Sequence, residues 1–229
     1  MNRRQFSAAA LRLALGGACA HALGPRACPG QAPNPSRVFQ EAVQPDEGAA
    51  PDRRTFEFEL RGFAYHFSAY GNGRRTKGTK TRGFNLRLDP GETVTRAFYT
   101  ECEGDLLLLL HTQVAGAGAG FVTRLEQPSM RGLWRQRIPA PDVGEPLREG
   151  VHLYVSGRGF VGKLDLRTGV YLWQHDNLED RRGDEPKPLG AFEAPALDGD
   201  AVLFRERPVY NPRRTLAVNR KTGEVIRVE

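Results

Sequence analysis

The stretch RGFVGKLDLRTGVYLW, residues 158–173, predicts two short strands joined by a tight turn. Apolar residues alternate with other residues on both sides of the turn, which is the period of a β-strand. In the turn, Asp165 can accept backbone N–H bonds, and Gly169 can take the positive φ that such turns require. Trp173 follows as a large apolar side chain suited to packing between sheets. We therefore interpret these three residues as structural.

The first half of this stretch recurs in the chain. The pattern G-F-x-x-[RK]-L-[DE] begins at residues 83, 120 and 159, and residues 215–219 form a fourth, divergent copy. A tryptophan stands eight residues after the acidic residue in the second and third copies. A unit of about 40 residues with several strands is typical of a propeller blade. The repeat residues are Gly83, Phe84, Asp89, Gly120, Phe121, Glu126, Trp134, Gly159, Phe160, Asp165, Gly169 and Trp173.

The composition agrees with an all-β chain. Among 229 residues, 26 glycines and 16 prolines divide the sequence into short segments. Over residues 54–229, the repeat predicts a propeller-like array of about four short four-stranded antiparallel units. Two arrangements remain open, a closed ring and an open curved array. An open array would expose sheet edges, at which the chain could self-associate or bind a protein partner.

The first 22 residues have the features of an export signal. The pair Arg3 and Arg4 stands before Phe6, and an apolar stretch and small residues in A-x-A order follow. This order is typical of a twin-arginine signal peptide. We predict a periplasmic or secreted protein with no transmembrane segment after signal cleavage, and a cytosolic amphipathic helix is the alternative. Cys19 lies in a sequence that only weakly matches a lipoprotein site, so its lipidation stays open.

Residues 23–53 are rich in proline, alanine, glycine and charge and lack apolar periodicity. These features predict a disordered linker. After cleavage, Cys28 and Cys102 are the remaining cysteines. An oxidising compartment would allow a disulfide between them, and two unpaired thiols are the alternative.

A basic stretch is a second candidate binding feature, beside the exposed sheet edges. Residues 71–83 contain no acidic residue but hold five basic ones, Arg74, Arg75, Lys77, Lys80 and Arg82. We predict a long exposed hairpin loop that is either simply solvated or contacts an anionic surface. The stretch does not match the nucleotide-binding P-loop, because Thr79 separates Gly78 from Lys80. A net charge of +6, part of it in the signal peptide, does not require a nucleic-acid partner.

The stretch 165–173 fits D-x-x-T-G-x-x-x-W and resembles the tryptophan-docking repeat of pyrroloquinoline-quinone-like β-propellers. That family includes quinoprotein dehydrogenases and a non-enzymatic lipoprotein of the outer-membrane barrel assembly machinery. The match is close only for residues 158–173, where Lys163 replaces a small residue. Elsewhere the turn after Glu126 lacks Thr-Gly, and Arg227 stands in place of a tryptophan. The resemblance implies propeller architecture for residues 54–229.

If the chain were a quinoprotein enzyme, the resemblance would imply a vicinal cysteine pair and calcium-binding carboxylates beside the cofactor. The sequence has no adjacent cysteines. It also lacks the H-x-x-H, H-E-x-x-H and G-x-S-x-G motifs, so we assign no catalytic, cofactor-binding or metal-binding residue. The sequence predicts an exported, non-catalytic binding or scaffold protein that uses an exposed sheet edge or the basic stretch. The alternative is a quinone-cofactor oxidoreductase or its remnant.

Overall fold

The computed structural model describes residues 39–46, 48–183 and 185–229. The export-signal residues Arg3, Arg4 and Phe6, as well as Cys19 and Cys28, lie outside these ranges. Within the ranges, no helix is long and apolar enough to cross a membrane. The regular elements are β1 (Gln40–Glu41), β2 (Thr55–Leu60), β3 (Phe63–Ser68), β4 (Asn72–Lys77), β5 (Lys80–Asn85), β6 (Glu92–Cys102), β7 (Asp105–Val114), β8 (Ala117–Leu125), β9 (Gly132–Ile138), β10 (Leu147–Glu149), β11 (His152–Gly157), β12 (Phe160–Asp165), β13 (Tyr171–His175), β14 (Glu179–Asp180), β15 (Lys187–Pro188), β16 (Ala196–Asp198), β17 (Ala201–Arg205), β18 (Thr215–Asn219) and β19 (Val225–Val228).

These strands form four antiparallel sheets, which follow the order of the chain except that β1 belongs to sheet II. Sheet I has the order β2-β3-β4-β5, sheet II β1-β6-β7-β8-β9, sheet III β10-β11-β12-β13 and sheet IV β16-β17-β18-β19. The short pair β14-β15 lies in the connection between sheets III and IV. Apart from β1, each sheet is a meander in which strands that follow one another in the chain are neighbours. The predicted all-β array of about four antiparallel units is therefore confirmed, with β1 as a fifth strand in sheet II.

The hydrophobic core consists of three clusters, each between successive sheets. The leucine run of β7 explains how a middle sheet serves two of them, because successive side chains of a strand point to opposite faces. Leu106, Leu108 and Leu110 lie in the cluster between sheets I and II. Leu107 and Leu109 lie in the cluster between sheets II and III. Sheets II and III are thus packed on both faces.

The array is open. Within the described residues, no hydrophobic cluster joins sheet I to sheet IV. The face of sheet I that points away from sheet II is polar and carries Glu57, Glu59 and Arg74, all exposed. The corresponding face of sheet IV carries exposed Arg205 and Arg227. The end sheets are therefore packed on one face each.

Residues 39–44 line the edges of two sheets. Gln40 and Glu41 pair with Tyr99 and Phe98 of β6, and Val43 forms an antiparallel bridge with Glu57 of β2. The prediction of a disordered linker over residues 23–53 needs correction for this part. A two-residue strand that pairs with residues more than 50 positions away leaves no periodic signal in the local sequence.

The turns after the third strands of sheets III and IV share one geometry. Asp165 Oδ1 accepts hydrogen bonds from the backbone N–H groups of Arg167 (2.7 Å) and Thr168 (3.3 Å). Gly169 has φ 72°, and its N–H donates to the carbonyl of Asp165. In sheet IV, Asn219 Oδ1 accepts from the N–H groups two and three residues further along, at 2.9 and 3.0 Å. A carboxylate and a carboxamide thus stabilise the same turn.

The turn between β8 and β9 of sheet II has the same backbone geometry but lacks the aspartate and the glycine of the turn in sheet III. Glu126 takes the position of Asp165, and its Oε2 accepts a hydrogen bond from the Ser129 hydroxyl at 2.5 Å. Met130 takes the glycine position with φ 58°, and its N–H donates to the Glu126 carbonyl. Its side chain packs into the cluster between sheets I and II. Met130 thus adopts a backbone conformation that normally favours glycine, while its side chain is packed in the core.

Each tryptophan docks on the turn of the following sheet. A Cβ atom at Gly169 of sheet III would lie 2.5 Å from the Trp134 ring of sheet II. A Cβ atom at Gly223 of sheet IV would lie 2.6 Å from Cγ of Trp173 of sheet III. The glycine and the tryptophan of one motif copy therefore belong to two different contacts. The tryptophan of one sheet and the turn glycine of the next are therefore present or absent together. Sheet I has no tryptophan, and Met130 accordingly replaces the turn glycine of sheet II.

The first copy of the repeat is not equivalent to the others. Gly120 and Phe160 lie on the third strands of the meanders β6–β9 and β10–β13, whereas Gly83 and Phe84 lie on β5, the fourth strand of the meander β2–β5. Asp89 lies in the connection to β6. The equivalence inferred for Gly83, Phe84 and Asp89 therefore needs correction. The similar pattern arises because alternate residues from 84 to 88 face the same core cluster.

Candidate anion-binding hairpin

The basic stretch is a regular β-hairpin. Strands β4 and β5 pair over their whole length, and Gly78, with φ 56°, and Thr79 form a two-residue turn. The prediction of a long loop over residues 71–83 therefore needs correction. Positive φ in a two-residue turn matches the right-handed twist of the flanking strands, so the chain reverses here without a loop.

The pleat of the hairpin places four of the five cations on one face. Arg75 pairs with Tyr65, which is buried in the cluster between sheets I and II. Arg82 shares that face because it is the cross-strand partner of Arg75. Lys77 and Lys80 also share it, because each lies two residues from Arg75 or Arg82 along its own strand. All except Arg75 are exposed. Arg74 points to the opposite face of sheet I.

Two of these cations lie over an aromatic ring. Arg75 Cζ is 4.4 Å and Lys77 Nζ is 4.6 Å from the centroid of Phe63. Cation–π contacts attract each cation to the ring but leave its charge uncompensated. Directly opposed like charges destabilise a sheet, and the hairpin contains two such pairs. The arrangement therefore costs folding stability unless an anion binds.

The hairpin cations differ from the other basic residues in their partners. Within the described ranges, none of the five forms an ion pair. Most basic residues of the later sheets do have carboxylate partners. Examples are Arg124 with Asp105 at 2.7 Å and Arg214 with Glu206 at 2.7 Å. Uncompensated positive charge is therefore concentrated on sheet I.

The sequence distribution of charge leads to the same conclusion. Between Leu60 and Leu88 there are seven basic and no acidic residues. Residues 89–229 contain 19 basic and 21 acidic residues. The chain is thus electrostatically asymmetric, and an anion would be attracted to the end of the array that sheet I forms.

A buried carboxylate anchors the connection that leaves the hairpin. The side chain of Glu92 is fully buried and accepts hydrogen bonds from Thr112 Oγ1 (2.6 Å) and from Arg135 Nη2 (2.9 Å). Burial raises its pKa, but these bonds, one from the Asp89 N–H and the charges of Arg135 and Arg137 outweigh burial and hold the pKa below its usual value. This network ties the segment after β5 to β9 and fixes the base of the hairpin.

A second feature, which the sequence did not reveal, is an acidic cleft on sheet I that reaches from β2 across β3 to β4. Its volume is about 510 Å³, and Glu41, Glu57, Glu59, His66 and Arg74 are among its lining residues. His66 Nε2 lies 3.7 Å from Glu57 Oε1. The cleft forms where Val43 bridges Glu57 of β2 while β1 pairs with β6, and neither pairing has a local sequence signal.

His111 is the most strongly perturbed histidine of the described residues. It is 9% exposed and packs against Phe98, with ring centroids 5.2 Å apart. Burial, followed by repulsion from Arg96 and Arg207, lowers its pKa to about 4. The imidazole is therefore neutral at physiological pH, and its surroundings identify it as a packed core residue.

The described residues do not include the adjacent cysteine pair expected in the quinoprotein enzymes that the repeat resembles. Cys102 is the one cysteine among them, and its side chain is fully buried between sheets II and III. Burial raises the pKa of its thiol, and its place in the core identifies it as a packing residue. Across the same residues, no group of three or more His, Cys, Asp or Glu side chains is placed to hold a metal ion.

Comparison with known proteins finds similarity among solved structures but not among family models or curated proteins. No protein-family model matches the chain, and no curated protein is significantly similar to it. Among solved structures, quinohemoprotein alcohol dehydrogenase ADHIIG from Pseudomonas putida HK5 is 13% identical with a TM-score of 0.48, covering 76% of this chain. This chain spans about a third of that enzyme, 34% of its length.

Two further structures are similar over larger shares of their own chains. AztD from Citrobacter koseri is 8% identical, with a TM-score of 0.36, and the match covers 75% of this chain and 70% of AztD. BamB from Moraxella catarrhalis is 14% identical, with a TM-score of 0.27, and the match covers 84% of this chain and 79% of BamB.

Proposed function

We propose that the chain is an exported, non-catalytic binding or scaffold protein whose hairpin β4–β5 binds an anionic partner. The observation that carries the proposal is the set of five hairpin cations without carboxylate partners in the described residues. The four sheets act as a rigid support, because each interface is a continuous hydrophobic cluster. The partner lies in the periplasm or outside the cell if residues 1–22 direct export.

The electrostatic part of the proposal is tested by charge removal. Replacing Arg74, Arg75, Lys77, Lys80 and Arg82 with serine should abolish salt-sensitive binding to polyglutamate and to vesicles containing phosphatidylglycerol. These probes supply the anionic chemistry of a protein and of a lipid surface, respectively. Binding is measured by titration at low and at high salt. Binding that survives in the variant would contradict the proposal.

A matched control separates local from total charge. Five exposed arginines elsewhere have carboxylate partners: Arg131, Arg158, Arg167, Arg181 and Arg227. Replacing them with serine removes the same number of positive charges. This control should retain most of the binding, since its charges are already compensated. If both variants lose binding equally, net charge and not the hairpin determines it.

The export part is tested separately. Fusing residues 1–22 to a reporter enzyme should carry the folded reporter into the periplasm. Replacing Arg3 and Arg4 with lysine should stop this transport while leaving synthesis of the reporter unchanged. Transport of the lysine variant at the original rate would contradict the assignment of a twin-arginine signal.

The non-catalytic part is tested with the cofactor that the family resemblance implies. Titration with pyrroloquinoline quinone, followed by absorbance and thermal unfolding, should show no saturable binding. Stoichiometric binding would replace the scaffold function with a quinone-cofactor oxidoreductase or its remnant.

A further inference from the structure

We propose that the anionic partner is an extended acidic peptide segment that pairs with the open edge of β5 as an additional antiparallel strand. The inference rests on the proposed function, since it specifies the partner of the same hairpin. It combines two features of β5: an unpaired backbone edge and a row of cations that an added strand would face.

The open edge follows from the pairing of the hairpin. β5 is the last strand of sheet I. In a two-residue hairpin the residues that flank the turn, Lys77 and Lys80, form a hydrogen-bonded pair, and bonded and non-bonded pairs then alternate. Thr76 and Thr81 are therefore a non-bonded pair, in agreement with their hydroxyl oxygens lying 3.3 Å apart. The backbone N–H and C=O groups of Thr81 and Gly83 thus point to the open edge.

The cations set the sequence that would bind. An added strand would place residues opposite Lys80, Arg82 and Phe84 in non-bonded pairs, in which side chains are closest. All three of these β5 side chains share the face that carries Arg75. An antiparallel peptide would therefore need, from its N-terminus, an apolar residue opposite Phe84 and acidic residues two and four positions later. The resulting opposite-charge pairs would replace the like-charge repulsion of the free hairpin.

The edge also explains why the partner is a peptide and not a flat anionic surface. A lipid headgroup layer could neutralise the cations but could not satisfy a row of backbone donors and acceptors spaced as in a strand. The face of the sheet at Gly83 has room for a small side chain, because a Cβ atom there would meet only the Gly73 carbonyl oxygen, at 3.8 Å. The edge cations would also hinder pairing with a second copy of β5, since Lys80 and Arg82 would be opposed by their own kind.

The test uses the full chain and the capped synthetic peptide TVTETET. The control peptide EETTVTT has the same composition but places its two acidic residues side by side. Gly83→Pro removes the outward N–H without removing a bond of the β4–β5 ladder, and Gly83→Ala keeps that N–H. We expect TVTETET to bind the wild type and Gly83→Ala with equal affinity. It should bind Gly83→Pro at least roughly tenfold more weakly than the wild type. The control peptide should bind the wild type at least roughly tenfold more weakly than TVTETET does. Equal binding to both glycine variants, or equal binding of both peptides, would overturn strand addition.

Amide hydrogen exchange in the wild type provides a second measurement that needs no variant. The amides of Thr81 and Gly83 should gain protection when TVTETET is added, whereas the amide of Arg82, already bonded within the hairpin, should change little. Unchanged exchange at Thr81 and Gly83 in the presence of bound peptide would also overturn the inference. Loss of strand addition with retained polyglutamate binding would leave the proposed function standing, whereas failure of the five-serine test would remove both.

Discussion

Trp134 and Gly169 form one contact although each belongs to a different sheet. The indole ring lies only 2.5 Å from the position that a Cβ atom of residue 169 would occupy, which is too close for a side chain. Gly169 also has φ 72°, a conformation that side chains rarely adopt. Two separate requirements, backbone freedom and empty space, therefore meet at one residue.

A pair of alanine substitutions separates these requirements. Gly169→Ala should destabilise the protein by about 2–4 kcal/mol, from left-handed backbone strain and from displacement of the ring. Gly199 has φ 54° and no atom within 4 Å of its Cβ position, so Gly199→Ala should cost only about 1 kcal/mol. Urea unfolding of both variants measures the difference. Equal losses would show that the indole contact adds nothing to the requirement for glycine.

His111 should make the stability depend on pH. Its pKa is about 4 in the folded protein, below the ordinary value of about 6.5. As the pH falls below about 6.5, the unfolded chain binds a proton that the folded protein does not, so stability decreases until about pH 4. Between pH 7 and pH 5 the loss is on the order of 2 kcal/mol.

Chemical unfolding at both pH values tests this for the wild type and for His111→Gln. The variant should be less stable at pH 7 but should lose less stability on acidification, because residue 111 no longer titrates. The lowered pKa of Glu92 acts at lower pH, since it contributes stability that is lost only below its ordinary value of about 4.3. An identical pH profile for both proteins would contradict the assigned pKa of His111.

The pattern of alternating residues was sufficient to predict strands, turns and the number of sheets. It was not sufficient to assign residues 83–89, because alternating apolar residues face the core equally well from a strand and from an extended connection. The turn at Gly78 was missed because the surrounding cations resemble a solvated loop. Pairing of β1 with β6 and docking of Trp134 on Gly169 join distant residues, so neither contact has a local signal in the sequence.

Val43, which follows β1, covers the inner edge of sheet I through its bridge with Glu57 of β2. The N–H of Glu57 donates to the carbonyl of Val43 at 2.9 Å. Removing residues 1–44 should therefore speed amide exchange at Glu57, which loses its acceptor. The amide of Val202, in the distant sheet IV, serves as the internal control and should keep its rate. Unchanged exchange at Glu57 would mean that the bridge does not persist in solution.

The four sheets should not be equally stable. Sheets II and III are packed on both faces, whereas sheets I and IV are packed on one. In a linear stack, stability depends on the contacts with neighbours, so the end sheets should open first. Hydrogen exchange measured by mass spectrometry should show the slowest exchange in β7 and β12 and faster exchange in β4 and β18. Uniform exchange in all four sheets would indicate a single cooperative unit instead.

The docking of each tryptophan on the next sheet determines which part of the chain could be copied or lost as a module. Deleting sheet III would bring Trp134 opposite Gly223, and a tandem copy of sheet III would bring Trp173 opposite a second Gly169. In both cases every ring would still meet a bare glycine. Deleting sheet II would instead leave Gly169 facing sheet I, which has no tryptophan. The tryptophan–glycine contacts would thus be preserved if sheet III were duplicated or deleted. They would not be preserved if sheet II were deleted.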